Sequence, residues 1–522
     1  MPTAETGTGA WSVAGAVLAV LAAGVVVRAA VSVGPYSGWD SPPRWGDYEA
    51  QRHWMELTQV LGPTEWYRNS SRNDLDYWGL DYPPLQAYHA KAFGWLAAAL
   101  EPSMVAETVS RGYASASSKA LMRGSALVSD VLFFALPALA ALPIALRLGV
   151  VRSRAALLAA LWALWLQPGH ILIDHGHFQY NCVALGLVLA AINSWCAGAP
   201  AVAAAAFIGA VYFKHMALYF ALPVFFAVVG MALAARSWGG TFRFIALNAS
   251  VVLVATAVVW LPWLLPTADG TMPWDADSPL AAALSRLFPW QRGLFEDKVA
   301  SAWCVFDPIL RIKTKWSMAG QRTLTMGVTL AATLPSSVMA AMVLARGGVA
   351  PGGTLSPAGR SALTLSLAAG GLAFFLFSYH VHEKSILFPM LPLSLLAPAA
   401  PLEIMWLSVA AVFSMFHLLV RDGLAVTYLG VVLIFCMGMV VLTGGRARFG
   451  LWSAGAMAVS AAGMVMLHAA DAFVAPPAAL PYLWAHAFAV WSFAHFAAAW
   501  LVCNVSLFGA VRARATTHAK TD

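Results

Sequence analysis

The chain has 522 residues, of which 60% are hydrophobic and only 11% are charged, and its formal net charge at pH 7 is +7. A water-soluble protein carries about 25% charged residues, so this chain lacks the charge needed to cover the surfaces of several soluble cores. The basic residues do not cluster in one polar segment, so the net charge does not indicate nucleic-acid binding. The composition instead predicts a protein embedded in a lipid bilayer.

Apolar runs recur along the whole chain and predict about 11 to 14 membrane spans in an all-α polytopic protein. The first run is too long for a signal-peptide core and has no basic segment before it, so we expect it to be retained. The pair 199–212 and 217–235 is compatible either with two spans or with one broken helix. The predicted spans lie near residues 11–33, 124–146, 155–168, 182–198, 199–212, 217–235, 244–266, 322–345, 361–379, 385–399, 404–420, 424–443, 450–470 and 483–510.

The charged residues between the spans indicate the orientation of the chain. If the N-terminus is cytosolic, five alternate segments carry eleven arginines and one lysine, and nearly all the acidic residues fall on the opposite face. Cytosolic loops of membrane proteins are enriched in arginine and lysine. We therefore expect both termini in the cytosol and both long polar loops, residues 34–123 and 267–321, on the other face. The basic residues concerned are Arg147, Arg152, Arg154, Arg236, Arg243, Arg346, Arg360, Arg446, Arg448, Arg512, Arg514 and Lys520.

The first long loop, residues 34–123, is acidic and rich in tryptophan. Asp47 stands where a helix is predicted to begin, since acidic residues are favoured in the first turn of a helix. Sugars stack on aromatic rings while carboxylates accept hydrogen bonds from their hydroxyls, so the loop indicates a site for a sugar acceptor. The alternative is an amphipathic helix at the membrane interface with its charged face in water.

Two polar motifs lie between the long loops. Residues 174–181 predict a polar turn between spans, and it contains His175 and His177. Metal-binding helices place their histidines at i and i+4, so this i, i+2 spacing favours contacts with phosphate or hydroxyl groups over a metal. Lys214 interrupts an apolar run. A lysine at membrane depth is costly and usually functional, unless its side chain reaches the interface.

Basic residues suited to phosphate occur in the second long loop and in the turn 380–384. Arg292 lies near Glu296 and Asp297, which predicts either an ion-paired cap or an anion site. His382 and Lys384 can both donate hydrogen bonds to a phosphate at the lipid boundary. The residues after His382 do not have the spacing of the HExxH zinc-protease motif.

Neither a structural metal nor a disulfide framework is predicted. The five cysteines are scattered and show no CxxC pattern, although a pair between Cys182 and Cys304 remains open. The two DxD patterns, at Asp74 and at Asp275, are too short to indicate a metal-bound nucleotide sugar.

Six segments, in chain order, resemble the motifs of the dolichyl-phosphate-glucose-dependent α-1,3-glucosyltransferases of the endoplasmic reticulum, which build the lipid-linked oligosaccharide for N-glycosylation. The resemblance runs from about Gly34 to Pro392. The family has a member that adds the first glucose and one that adds the second, and residues 47–58, Gly176 and the GLFEDKVA segment resemble the first; the second is the alternative. The segments are GDYEAQRHWMELT, YWGLDYPPLQAYH, LIDHGHFQYN, FKHMALYFA, RLFPWQRGLFEDKVA and HVHEKSILFPMLP.

The resemblance implies a GT-C glycosyltransferase fold spanning residues 1–522 as one multi-pass membrane domain of the endoplasmic reticulum, with loop helices above a lumenal cavity. It also implies transfer of glucose, with inversion, from dolichyl phosphate β-glucose to the terminal mannose of Man9GlcNAc2-PP-dolichol. Both lipid-linked substrates would meet the enzyme on the lumenal side, where the two long loops and the 380–384 turn are expected.

The resemblance further implies roles for particular side chains. Asp47 is the expected general base, which accepts the proton of the attacking mannose hydroxyl, and Asp81 is the alternative. His382 is expected to bind the donor phosphate. A monophosphate leaving group carries less charge than a nucleoside diphosphate, so we expect neither a metal nor another cofactor. The expected helpers at the donor are Lys384, His175, His177 and Arg292, and those at the acceptor or in loop support are Glu49, Arg52, Asp81, Tyr82 and Trp54.

A transporter is the competing interpretation from a different class, since transporters also have many spans and intramembrane polar groups. Transporters tend to show internal repeats and midplane sites, whereas this sequence shows no clear repeat and its polar motifs lie on one face. A structural subunit of a glycosylation complex would not need this density of carboxylates, histidines and tryptophans. Glucose transfer from dolichyl phosphate glucose distinguishes the enzyme from both.

Overall fold

A computed structural model of the chain describes residues 12–43, 45–147, 153–288, 293–295, 298–444 and 451–518. Arg292, Glu296 and Asp297, for which the sequence predicts an anion site or an ion-paired cap, lie outside the described residues, as do Arg152, Arg446, Arg448 and Lys520.

Within the described residues, ten helices are long and apolar enough to cross a membrane. Three shorter apolar helices, Asn181–Cys196, Pro200–Phe213 and Pro401–Phe413, accompany them, which agrees with the predicted range of spans. The all-α polytopic prediction is therefore confirmed. The ten are Val13–Val33, Ala116–Arg147, Arg154–Phe178, His215–Leu233, Trp238–Leu264, Met318–Gly348, Pro357–Phe377, Ala425–Thr443, Gly455–Phe473 and Leu483–Ala513.

Shorter helices lie between the spans and position the polar loops. Two of them, Asp47–Val60 and Pro84–Leu100, occupy the first long loop. We call Asp47–Val60 the loop helix. The remaining helices outside the spans are Pro279–Leu287, Ala302–Leu310, Ile312–Lys315, Leu387–Ser394 and Phe416–Arg421.

Serine side chains begin many of these helices. Ser237 Oγ accepts from Gly240 N at 3.1 Å and Ser356 Oγ accepts from Gly359 N at 3.2 Å. Ser115 does the same for Ser118 N at 2.9 Å, so the second long span begins at Ala116, eight residues before the predicted start near 124. A serine at the N-cap accepts a hydrogen bond from a backbone N–H group that would otherwise face an apolar medium.

The spans differ in how deeply they are packed. The most apolar window of Arg154–Phe178 is 89% buried and that of Pro357–Phe377 is 78% buried, whereas Gly455–Phe473 is only 11% buried. The first two are therefore central helices, and the third faces the surrounding medium. The polar motifs at residues 174–181 and 380–384 lie at the C-terminal ends of these two central helices. Their side chains therefore lie inside the bundle.

The predicted polar turn at residues 174–181 has a different conformation. The helix continues as a wide helical turn through Leu172–Phe178, and Gln179 is extended. All eight residues are buried, and their polar groups are bonded within the motif and to neighbouring segments: Asp174 accepts from Asn181 Nδ2 at 2.7 Å and from Cys182 N at 2.6 Å, whereas His175 contacts Asp130. Polarity here marks a buried network and not a solvated turn.

Lys214 separates the helix Pro200–Phe213 from the span His215–Leu233, and its backbone is extended. These are accordingly two helices, not one. The Lys214 side chain is only 2% exposed, so it does not reach the interface. Its ammonium is satisfied inside the bundle, where Nζ donates to Gln179 Oε1 at 2.8 Å and to Asn181 Oδ1 at 2.6 Å.

Candidate active site

Asp47 is the first residue of the loop helix, and two features bring it against the first span. Its backbone N–H donates to Ser37 Oγ at 3.2 Å. The preceding residue is Gly46, where a Cβ would lie 2.4 Å from Ser37 Oγ and 2.5 Å from the Ser37 carbonyl carbon. Only glycine permits this approach, because a side chain would displace the segment that follows the first span.

The Asp47 carboxylate is held through one of its two oxygens. Oδ2 accepts hydrogen bonds from Lys384 Nζ at 2.6 Å and Gln179 Nε2 at 2.5 Å, and His177 Nε2 lies 3.0 Å away. No described residue donates to Oδ1. One oxygen is therefore anchored while the other is available to a substrate.

Burial by itself raises the pKa of Asp47, but the Lys384 ammonium and His177 outweigh burial and hold this pKa well below its ordinary value. The side chain is still 26% exposed, toward the cavity described below. Asp47 is thus an ionised carboxylate that a ligand can reach, as a general base requires.

His177 links Asp47 to a second carboxylate. Its Nδ1 lies 2.5 Å from Asp422 Oδ2, and the His177 and Asp422 side chains are 2% and 3% exposed. Asp422 directly follows the helix Phe416–Arg421. Gly176 packs against the same turn, where a Cβ would lie 2.9 Å from Leu424 Cδ1.

A cavity of about 550 Å³ opens beside Asp47. His382 and Lys384 form part of its wall, as do Trp54, Asp81 and Tyr82. These lining residues combine carboxylates, cationic donors and aromatic rings, which is the composition expected of a site that binds a sugar and a phosphate.

His382 faces this cavity with 38% of its side chain exposed, and its Nδ1 lies 3.2 Å from Glu383 Oε2. Burial, followed by the Lys384 ammonium, lowers the pKa of His382 well below its ordinary value. The same two causes, in the same order, lower the pKa of Lys214 to about 7. Lys384 is therefore the dominant positive charge beside Asp47.

A second cavity of about 260 Å³ adjoins the first and is almost wholly apolar. The two cavities share His215, Leu218, Leu287 and Phe288 as lining residues. Trp260 and Leu264, from the span Trp238–Leu264, complete its wall toward the spans. A molecule with a polar head and an apolar chain matches this pair of cavities.

Arg286 is a further basic residue of the large cavity, from the second long loop. Its guanidinium donates to Gly79 O at 2.8 Å and to Leu80 O at 3.3 Å, which ties that loop to the first one. The guanidinium therefore stands at the rim of the site in a fixed position.

The structure brings together most of the residues that the sequence singles out. Asp47, His177 and Lys384 are in mutual contact. His382, Trp54, Asp81 and Tyr82 line the same cavity. Lys384, expected at the donor phosphate, instead bonds Asp47.

His175 is not brought to the cavity. It is fully buried, and its Nε2 lies 2.9 Å from Asp130 Oδ2. Asp130 also accepts from Arg28 Nε at 2.5 Å, so these three side chains join the first two long spans to the central helix. Arg28 and Asp130 went unnoticed in the sequence, although an ionisable residue within an apolar span is itself a signal.

Glu49 and Arg52 support the loop helix and do not line the cavity. Arg52 is fully buried, donates to Glu49 at 2.6 and 2.7 Å, and donates to Glu56 at 3.0 Å. Every residue from Tyr48 to Thr58 is buried. This excludes an interfacial helix with a solvated charged face, because the charged face is packed inside the protein.

Gln179 and Asp422 are the site residues that sequence reasoning missed. Gln179 lies in a motif already singled out, whereas Asp422 lies in an Arg-Asp-Gly turn without any recognisable pattern. None of the five cysteines, Cys182 and Cys304 included, forms a disulfide bond. Among the described residues, no group of three or more histidine, cysteine or acidic side chains could hold a metal ion.

Comparison with known proteins gives consistent matches. The model of the ALG6, ALG8 glycosyltransferase family matches residues 23–502. The Gallus gallus dolichyl pyrophosphate Man9GlcNAc2 alpha-1,3-glucosyltransferase is 38% identical over 77% of this chain and 74% of its own length. The Saccharomyces cerevisiae protein of that name is 37% identical over 77% and 70%. A Drosophila melanogaster protein whose name gives the same activity is 40% identical over 78% and 81%.

Proposed function

Because the chain belongs to the ALG6, ALG8 glycosyltransferase family, we propose that it transfers glucose in α-1,3 linkage to Man9GlcNAc2-PP-dolichol. The relatives carry this activity in their names, and they name the acceptor of the first glucose. The observation that supports it best is Asp47, an ionised carboxylate with one anchored oxygen and one available oxygen at the wall of a cavity.

The proposed donor is dolichyl phosphate β-glucose. A lipid monophosphate has an anionic head and a long apolar chain, and the paired cavities offer polar and apolar walls in contact. His382 and Arg286 are the donors we place at the phosphate, since Lys384 is engaged with Asp47. The apolar cavity beside Trp260 would take the first isoprene units.

The proposed reaction is a direct displacement with inversion. The acceptor mannose hydroxyl loses its proton to Asp47 Oδ1 as its oxygen bonds to the anomeric carbon. The bond from that carbon to the phosphate oxygen breaks, and the phosphate leaves with the electron pair. Fixed donors stabilise the charge that develops on the leaving oxygen.

We propose that the reaction needs no metal ion. The leaving group is a monophosphate, and His382, Arg286 and the Lys384 ammonium provide positive or proton-donating groups around it and the base. Activity that falls with a chelator and returns with one divalent ion would contradict this.

We place the enzyme in the endoplasmic reticulum membrane, with both termini in the cytosol and the cavity in the lumen. This orientation is supported by the arginines of the short loops, which the charge rule for membrane proteins assigns to the cytosolic side. Protease or tag accessibility in sealed microsomes would test this orientation.

Transfer is tested with the purified full-length chain, dolichyl phosphate glucose and a lipid-linked Man9GlcNAc2 acceptor. We expect one hexose to be added, and digestion with an α-glucosidase should remove it. No transfer with the donor still bound would contradict the proposal. A Man9GlcNAc2 acceptor left unchanged while a monoglucosylated acceptor gains a glucose would instead indicate the second-glucose enzyme.

A further inference from the structure

Asp47, Lys384, His177 and Asp422 form a connected cluster of four ionisable side chains. Asp47 Oδ2 lies 2.6 Å from Lys384 Nζ and 3.0 Å from His177 Nε2, and His177 Nδ1 lies 2.5 Å from Asp422 Oδ2. His177 and Asp422 are almost completely buried, and Lys384 is 9% exposed. Buried charges are stable only when they are paired, so the protonation states of the four groups depend on one another.

The geometry determines where the protons of His177 belong. A carboxylate only accepts hydrogen bonds, so the short contact with Asp422 places a proton on Nδ1. The 3.0 Å contact between Nε2 and Asp47 Oδ2 favours a second proton, on Nε2, because a neutral ring would place a lone pair against the carboxylate oxygen. His177 is then an imidazolium between two carboxylates, and with the Lys384 ammonium the four groups sum to zero net charge.

A neutral His177 would change these contacts. Its Nε2 would carry a lone pair, which accepts from Lys384 Nζ at 3.0 Å and repels Asp47 Oδ2. Lys384 would then divide its hydrogen bonds, and Asp47 would lose one of its anchors. Asp422 decides between these two states, since its negative charge favours the second proton on the ring.

We propose that Asp422 is a positioning residue for glucosyl transfer, which keeps His177 doubly protonated so that Asp47 Oδ2 stays anchored and Oδ1 faces the acceptor hydroxyl. The inference rests on the proposed function and extends it to a residue that does not line the cavity. Asp422 acts only through His177, from which it is separated by 245 positions in the chain.

Other basic side chains lie near these four residues and also contribute to the electrostatic potential at His177. Lys214 reaches it through Gln179, and His382 stands beside Lys384 at the cavity wall. Arg123 donates to Gly176 O at 3.0 Å, next to His177. None of these basic side chains contacts Nδ1 of His177. The group beside Nδ1 is the Asp422 carboxylate, whose negative charge stabilises a proton there.

The chain contains a matched control for Asp422. His417 Nε2 lies 3.3 Å from Asp471 Oδ1, which is a second histidine–aspartate pair beside the same helix, and it has no contact with Asp47. The substitution Asp471→Asn therefore removes a carboxylate from a more exposed histidine–aspartate pair near the Asp422 turn without touching the cluster.

The experiment measures kcat and KM as functions of pH for the wild-type chain, Asp422→Asn, Asp422→Glu and Asp471→Asn. Asparagine can still accept from Nδ1–H but cannot hold the second proton. We expect Asp422→Asn to lower kcat by roughly 10- to 100-fold and to move its alkaline limb to lower pH by about 1 unit, because His177 then loses its second proton more readily as the pH rises, with KM for the acceptor little changed. Asp422→Glu should recover part of kcat, and Asp471→Asn should match the wild type.

A wild-type alkaline limb and kcat in Asp422→Asn would overturn the inference, and so would an equal loss in Asp471→Asn. If Asp422→Asn does not fold, Asp422→Glu provides the test, because a carboxylate in a displaced position should shift the alkaline limb. In a His177→Gln background Asp422→Asn should have no further effect on kcat, and additive losses would also overturn the inference.

A wild-type chain that transfers no glucose refutes the proposed function. An active wild type with an unaffected Asp422→Asn variant refutes only this inference.

Discussion

Lys384 Nζ lies 2.6 Å from Asp47 Oδ2, although 337 positions separate the two residues in the chain. The pair joins the loop helix to the turn between two of the innermost helical segments. Lys384 thereby lowers the pKa of the proposed base and anchors it, while His382, two residues earlier, remains free to face the cavity.

Replacing Asp47 by asparagine removes the proton acceptor with almost no change in shape. We expect kcat to fall by about 10²- to 10⁴-fold, because general-base catalysis contributes that much, while donor binding persists. Steady-state transfer and donor binding by the purified variant check this. Asp81→Asn serves as the comparison, since Asp81 lines the same cavity. Near-normal turnover in Asp47→Asn with loss in Asp81→Asn would reverse the assignment.

Replacing Lys384 by methionine tests the pH dependence of the base. In the wild type the pKa of Asp47 lies well below its ordinary value, so the carboxylate stays ionised and active as the pH falls through the usual carboxyl range. Without the ammonium, burial dominates and raises this pKa. The acid limb of kcat should therefore move to higher pH. An unchanged acid limb would show that Lys384 does not control Asp47.

His382→Gln tests the group placed at the donor phosphate. The pKa of His382 is well below its ordinary value, so its imidazole is neutral at pH 7. A bound phosphate favours the protonated ring, so donor binding should take up a proton and the donor KM should rise with pH. His382→Gln should raise the donor KM and abolish its pH dependence. The acceptor KM is the internal control. If the substitution changed only the acceptor KM, His382 would not be a donor-phosphate ligand.

Arg52→Met tests whether Glu49, Arg52 and Glu56 hold the loop helix in place. Removal of one partner from a buried ion pair leaves uncompensated charge and costs about 3–5 kcal/mol, so the unfolding temperature should fall markedly. Arg72→Met is the matched control, since the Arg72–Glu107 pair is exposed and should change stability little. Thermal unfolding in the same detergent compares them. Equal losses would show that burial of the network is unimportant.

The candidate site was only partly predictable. Asp47, His382 and the cavity residues Trp54, Asp81 and Tyr82 stood out as polar or aromatic residues in loops of an otherwise apolar chain. Polarity in such a chain has a cost, which makes each exception informative. Lys384 was also noticed, but as a phosphate donor, because its neighbour His382 was the only partner visible along the sequence.

Composition and pattern alone determined that the chain is an all-α membrane protein and which loops carry its polar groups, and the resemblance of its motifs to a known family made Asp47 the leading candidate base. These properties follow from local quantities: the length of apolar runs, the placement of charges and the residues of short motifs. The tertiary structure decided the partners of Asp47, because Lys384, His177 and Asp422 meet only through the packing of distant helices. Hydrophobicity specifies that those helices are buried and leaves open which of their polar side chains will touch.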